Sequence, residues 1–272
     1  MADRKVALVT GAGGHGIGRA IAEMLAQEGY DVMIHCGRSL ASGEALCDEL
    51  RARYGVQAYA VQADLQDKDA YKKIFEAFDE KFERMDVFVN NAGITIHQPF
   101  LTLKEETFDT IANVNYRSCI FGVKAAAQRM IAKAIPGKIV VITSIQGMAV
   151  LPRSTVYGSV KAALIHFVRH AAMELAQFGI RVNGLAPGPV LTDRNGPITE
   201  EQRKGAEADG ARMVTGAWPP PENIADGVKF LISDGANFMI GHNLAIECGM
   251  YNQYFTNESF DQELPRLSTG QK

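Results

Sequence analysis

Tyr157 and Lys161 stand four residues apart in Tyr157-Gly-Ser-Val-Lys161, which on a helix sets a phenol and an ammonium one turn apart on one face. Free tyrosine titrates at about 10 and free lysine at about 10.4, so neither alone suits proton transfer at neutral pH. A fixed ammonium favours the phenolate, and the pair can then work as one acid/base device. The same spacing is common on exposed helices, so the reading depends on what the rest of the chain sets beside it.

A second chemical feature is Thr10-Gly-Ala-Gly-Gly-His-Gly-Ile-Gly18, which lies between the apolar run Val6 to Thr10 and a helical pattern. Gly11, Gly13 and Gly16 fit GxGxxG; with His15, Ile17 and Gly18 they form a turn whose backbone N–H groups can meet a pyrophosphate at a helix N-terminus. A plain tight turn is the other reading. An acidic residue that would hold an NAD ribose is missing from the end of the second strand, where Arg38 and Ser39 offer a cation and a hydroxyl to a 2′-phosphate. NADP(H) is therefore preferred. NAD(H) stays open, because an exposed arginine in a turn is often only solvated.

After the third strand, Asp64 and Leu65 are placed to meet an adenine, and Asp64 equally to N-cap the next helix. Asn90-Asn-Ala-Gly93 closes the fourth strand. A structural role is expected for Asn90, and Asn91, Ala92 and Gly93 are expected beside the cofactor.

The elements that must carry these residues alternate. Short apolar runs at Val6 to Thr10, Asp31 to Cys36, Gln57 to Gln62, Asp86 to Asn90, Lys138 to Ser144, Ile180 to Leu185 and Asn243 to Ile246 read as strands. Between them Ile17 to Glu28, Leu40 to Tyr54, Lys68 to Arg84, Lys104 to Ala134, Thr155 to Phe178 and Pro221 to Ser233 read as helices. The alternation predicts an α/β fold with a single Rossmann-type doubly wound parallel sheet of about seven strands, flanked by helices on both faces. With neither linker nor repeat, residues 1–272 are expected to form one domain.

Composition narrows the classes. A net charge of −3 and the lack of a long basic run argue against nucleic acid and anionic membrane as partners. Cys36, Cys47, Cys119 and Cys248 have no CxxC or metal-ligand spacing. They are expected to be reduced thiols in a cytoplasmic protein. Neither a signal peptide nor an apolar run long enough for a membrane span is expected.

Thr10-Gly…Gly16-Ile-Gly18, Asn90-Asn-Ala-Gly93, Ser144, Tyr157-x-x-x-Lys161 and Pro187-Gly188 together resemble, in order and rough spacing, the short-chain dehydrogenase/reductase family, classical type, over about residues 4–250. The resemblance implies that Tyr157 is the catalytic acid/base, Lys161 the residue that tunes it and binds the nicotinamide ribose, and Ser144 the group that polarises the substrate oxygen. It implies that Asn115 holds a water in the proton relay, with Asn113 as the rival. Pro187, Gly188, Val190 and Thr192 are similar to the family segment that meets the nicotinamide carboxamide and a cofactor phosphate.

The polar stretch about 189–221 is expected to be a substrate lid with a short helix around Thr199 to Met213, and the tail about 251–272 resembles that of glucose dehydrogenases, with disorder the alternative for its final third. Three departures stand out. The glycine loop has one residue more than the usual family spacing between Thr10-Gly11 and Gly16-Ile-Gly18, His15 stands where NADP-preferring relatives often carry an arginine, and Glu247-Cys-Gly-Met250 replaces the common Asp-Gly-Gly. His166 and His170 have the spacing of a metal pair but lack a third ligand; no metal is expected, and a subunit interface is the preferred setting.

The expected function is an NADP(H)-dependent oxidoreductase interconverting a secondary alcohol and a ketone or aldehyde, in a homo-oligomer, tetramer or dimer. Ser144, Gln146 and Tyr157 would contact the small-molecule substrate, and His97, Val150 and Pro189 could shape its pocket. Sugars, steroids and 3-oxoacyl compounds are the substrate candidates. The alternative is a non-catalytic nucleotide-binding regulatory or structural protein.

Overall fold

Alternate residues of the first strand point to two separate cores, and this splitting repeats across the whole sheet. The computed structural model describes residues 4–192, 199–211, 213 and 215–251. Its strands are β1 (Val6–Thr10), β2 (Asp31–Cys36), β3 (Ala58–Gln62), β4 (Val87–Asn90), β5 (Lys138–Ile142), β6 (Arg181–Pro187) and β7 (Asn243–Ile246). They form one parallel sheet in the order β3-β2-β1-β4-β5-β6-β7. The helices are α1 (Ile17–Gln27), α2 (Leu40–Tyr54), α3 (Ala70–Asp79), α4 (Glu105–Ile111), α5 (Ser118–Ala132), α6 (Thr155–Leu175), α7 (Glu200–Gly210) and α8 (Pro221–Ile232).

Ala7 and Val9 of β1 face one core with Ile21 and Leu25 of α1, Leu46 and Leu50 of α2, and Ile224 and Val228 of α8. Val6 and Leu8 face the other, with Phe75 and Phe78 of α3, Val123 and Met130 of α5, and Leu164 and Val168 of α6. A period of two splits each strand between the faces, which explains why the strands read as continuous apolar runs. The strand order reverses between β1 and β4. Loops leaving their C-terminal ends diverge there and open the crevice in which such sheets take ligands.

Most boundaries agree with the sequence reading to within a residue or two, but one helix differs in kind. The pattern Lys104 to Ala134 is two helices, α4 and α5, joined by a π turn over Ala112–Arg117. Asn115 explains part of this, because its Nδ2 donates to the Ile111 carbonyl at 2.9 Å and takes an acceptor the ladder would otherwise use. The helix read as Lys68 to Arg84 is shorter, Ala70–Asp79. Asp64 therefore cannot cap it; its Oδ1 accepts from the Gln66 N–H at 2.9 Å in a local turn. β6 runs on to Pro187, where the missing N–H falls beyond the end of β5, whose pairing stops at Ile142 opposite Leu185.

The lid helix forms as α7, Glu200–Gly210. Residues 193–198 of the lid and 252–272 of the tail lie outside the described residues. Among the described residues no helix is long and apolar enough to cross a membrane.

Candidate active site

Lys161 is 4% exposed, and its position is fixed from two sides. Its Nζ donates to the Ile142 carbonyl at the end of β5 at 2.8 Å and lies 5.5 Å from the centroid of the Tyr157 ring one turn earlier on α6. A buried ammonium with a carbonyl on one side and a phenol on the other fits the sequence reading of an acid/base pair. Tyr157 itself is half-buried.

Ser144 leaves β5 two residues past its end and caps a single 3-10 turn, Ile145–Gly147, through the Gln146 N–H, which donates to its Oγ at 3.1 Å. This turn lies directly on α6. A Cβ at Gly147 would come within 2.8 Å of the Lys161 backbone, and one at Gly158 within 3.0 Å of the Gln146 carbonyl. Glycine at both places lets the serine turn approach the tyrosine helix closely. Gln146 Oε1 is buried without a hydrogen-bond partner; Trp218 Nε1, beyond α7, is the other such side-chain atom among the described residues. Since buried polar atoms are nearly always paired, both are groups that a ligand could complete.

Asn115 is 1% exposed and reaches the loop after β4. Its Oδ1 accepts from the Ile94 N–H at 3.2 Å and its Nδ2 donates to the Ile94 carbonyl at 3.0 Å. A Cβ on Gly93 would lie 2.7 Å from Asn115 Oδ1 and 3.8 Å from Lys161 Nζ, so three elements meet at that glycine. Asn115 has this placement and Asn113 has no such bond.

The dinucleotide-type loop is stapled to β4. Thr10 Oγ1 accepts from the N–H groups of Asn91 at 3.1 Å and Ala92 at 3.0 Å. Asn91 Nδ2 returns bonds to the carbonyls of Thr10 at 2.9 Å and Gly11 at 3.1 Å. Gly11 has φ of +71°, where a side chain is strained, and a Cβ there would stand 2.8 Å from Ala92 Cα. Gly18 leaves no room for a Cβ either, which would fall 2.5 Å from Asn91 Nδ2. Gly13 lies against Cys36, whereas Gly16 precedes Ile17 as the extended N-cap of α1.

Asn90 faces the other way. Its Oδ1 accepts from the Tyr71 hydroxyl at 2.9 Å, the structural role expected for it. Burial raises the pKa of that phenol, so it stays a donor.

A cavity of about 250 Å³ opens at the N-terminus of α1, lined by His15, Gly16, Arg19, Thr192 and the start of α8. Backbone N–H groups at a helix start and room beside them fit a pyrophosphate. Val190 packs on the core next to β6, and Gly188 approaches Glu247 so closely that a Cβ would meet its Cα at 2.7 Å. At the far end Arg38 is exposed, with its carbonyl held by Gln62 Nε2 at 2.9 Å. Ser39 N-caps α2 by accepting from the Ser42 N–H at 3.2 Å. Leu65 is buried in the core.

Sequence reasoning passed over His35, a polar residue inside an apolar strand, which bonds both the glycine loop and the end of β3. It also left Thr10 without a task. The signal was present: both polar side chains close adjacent strands on the same face of the sheet. The remaining candidates do less. Burial pushes Cys36 up to about 11 and Cys47 and Cys119 up to about 12, so these thiols stay protonated. His166 and His170 face each other on the outside of α6 with Nε2 atoms 3.1 Å apart, and no group of three metal-type side chains occurs among the described residues.

Comparison with known proteins places this geometry among relatives. The sequence model of the short chain dehydrogenase family matches residues 5–203. The chain is 34% identical over 247 residues to a 3-oxoacyl-[acyl-carrier-protein] reductase of Staphylococcus aureus, covering 91% of this chain and 98% of that one. It is also 34% identical over 250 residues to an L-rhamnose 1-dehydrogenase (NAD(P)(+)) of Azotobacter vinelandii, covering 91% and 96%. An acetoin dehydrogenase structure from Enterobacter cloacae superposes with a TM-score of 0.83 at 29% identity over 92% and 96% of the two chains.

Proposed function

The chain belongs to the short-chain dehydrogenase family and is an oxidoreductase acting on CH–OH and C=O groups, and from that premise we propose that Tyr157 moves the proton and that NADP(H) is the preferred cofactor. The observation that carries the first part is buried Lys161 beside the Tyr157 ring, on a helix against which the Ser144 turn packs, with Lys161 and Asn115 both reaching Gly93 after β4.

A bound nicotinamide supplies or takes up the hydride. The protein's share is to hold the substrate oxygen and exchange its proton. Ser144 donates to that oxygen, and Tyr157 gives or takes the proton as charge develops there. Lys161, anchored on the Ile142 carbonyl, favours the phenolate. Asn115 holds the end of the relay. Gln146, with its unpartnered Oε1, accepts from a second hydroxyl or amide on the substrate. Such a group fits a polyhydroxy or acyl-amide substrate better than a bare hydrocarbon ketone. Sugars and 3-oxoacyl compounds, the classes that the two relatives' names carry, are thereby favoured over steroids.

The N-terminus of α1, with Gly11, Gly13, His15, Gly16, Ile17 and Gly18, receives the pyrophosphate, and Thr192 closes on it from the lid. Exposed Arg38 and the N-terminus of α2 at Ser39 favour a 2′-phosphate over a bare ribose. Four free cysteines support a cytoplasmic setting. Exposed Phe108 on α4 and Phe121 on α5 support a homo-oligomer.

A panel of sugars, 3-oxoacyl thioesters and simple ketones, run with NADPH and NADH, tests the reading. Turnover with NADPH on one of the first two classes is expected, with Tyr157→Phe lowering kcat by roughly 10²- to 10⁴-fold. Full turnover by that variant would overturn the mechanism.

A further inference from the structure

The geometry points to His35 as the positioning residue that sets the glycine loop for the dinucleotide. Its Nε2 lies 2.9 Å from the Ala63 carbonyl, which can only accept, so the proton is on Nε2. Nδ1 is then a bare acceptor, and the Gly11 N–H donates to it at 3.3 Å. The ring is 1% exposed. Backbone bonds run beside it on both sides, from the Ala12 N–H to the His35 carbonyl at 3.0 Å and from the Ala63 N–H to the Cys36 carbonyl at 3.1 Å. One neutral imidazole thus ties the first residue of the glycine loop and the exit of β3 to the end of β2. Those are two walls of the crevice in which the proposed function seats the dinucleotide, and the inference rests on that reading.

Gly11 is the part of the loop least able to hold itself. A glycine has many alternatives to its φ of +71°, and its carbonyl, like that of Thr10, accepts from Asn91 Nδ2. A donor bond from its N–H to His35 fixes the other side of the same peptide plane pair. If the ring gained a proton, an Nδ1–H would face the Gly11 N–H, and the bond would turn into a repulsion.

Burial holds the ring below its ordinary 6.5, against the opposing pull of the Ala63 bond and of Asp64 just beyond it. The residues opposite His35 in the sheet, Thr10 of β1 and Val61 of β3, carry no titratable side chain, and Tyr59, two residues before Val61 on the same face of β3, is the one such group those two strands supply. In the unfolded chain the imidazole takes its proton first as pH falls. The stabilising contribution is therefore complete above about 6.5 and is lost as pH falls through the folded value.

Two substitutions separate the two nitrogens. His35→Asn puts an amide oxygen near the place of Nδ1 and keeps an acceptor for Gly11. His35→Gln puts an amide nitrogen near the place of Nε2 and keeps only the donor to Ala63. Calorimetric titration of the full chain with NADPH, from pH 5.5 to 8, reads the dinucleotide affinity directly. At pH 8 His35→Asn is expected to stay within about threefold of the unaltered protein and His35→Gln to bind at least tenfold more weakly. The 2′-phosphate, with its own pKa of about 6, contributes alike to both. Equal weakening by the two variants would overturn the inference alone. No binding of NADPH to the unaltered protein at pH 8 would overturn the cofactor reading and the inference with it.

Discussion

Arg38 is the residue on which the choice of cofactor turns. It is exposed at the end of β2, so its guanidinium gains little from the fold and can give most of its binding to a ligand. Replacing Arg38 with alanine should raise the KM for NADPH by roughly 10- to 100-fold, the worth of a charge-assisted hydrogen bond of about 1.5–3 kcal/mol, and leave the KM for NADH nearly unchanged. Steady-state kinetics with both cofactors checks this, and equal effects would move the 2′-phosphate elsewhere. Gln146 belongs to the same scale. Gln146→Leu should raise KM for a substrate with a second polar group while leaving KM for a simple ketone within about twofold, because only the former pairs with Oε1.

Among elements, α5 and α3 show how far from the chemistry the site is supported. Gly122 on α5 sits on the Tyr71 ring of α3 so closely that a Cβ would come 2.6 Å from its hydroxyl, and that hydroxyl holds Asn90 at the end of β4. A Gly122→Ala variant must push Tyr71 off Asn90 or push α5 off the sheet. Overpacking of this kind costs about 1–3 kcal/mol. Thermal unfolding should show a Tm lower by several degrees, at roughly 2–4 °C per kcal/mol for a chain of this size. An unchanged Tm would mean that the α3–α5 contact gives way freely.

The same scale shows what the sequence made legible. Strand and helix order followed from the period of apolar residues, and the tyrosine–lysine spacing became a real pair because α6 is helical throughout. The π turn was hidden, since one additional residue in a turn alters no composition and shifts the apolar stripe only after Arg117. His35 was hidden for a different reason. A histidine in an apolar run reads as an interruption of a strand, and only the neighbouring strand and loop reveal that both nitrogens are used.

For the whole molecule, the outer face of α5 and α6 carries side chains that a solitary protein has little cause to expose. Phe121 is 49% exposed on α5, and Met173 is 73% exposed on α6 beside His166 and His170. A second copy of the chain laid on this face would cover them. Light scattering coupled to size exclusion should give a mass at least twice the monomer's 29.6 kDa. Phe121→Glu with Met173→Glu should shift it toward the monomer, by burying like charge in the contact. A monomeric unaltered chain would overturn this.

Trp218, the only tryptophan in the chain, stands between α7 and α8 with its indole N–H buried and unpartnered. Its emission therefore reports on one place, at the base of the segment that would fold over the substrate. Any ligand that satisfies the indole N–H will change its colour and intensity, so the protein carries an optical gauge of binding beside α7 and α8 that needs no dye and no engineered residue.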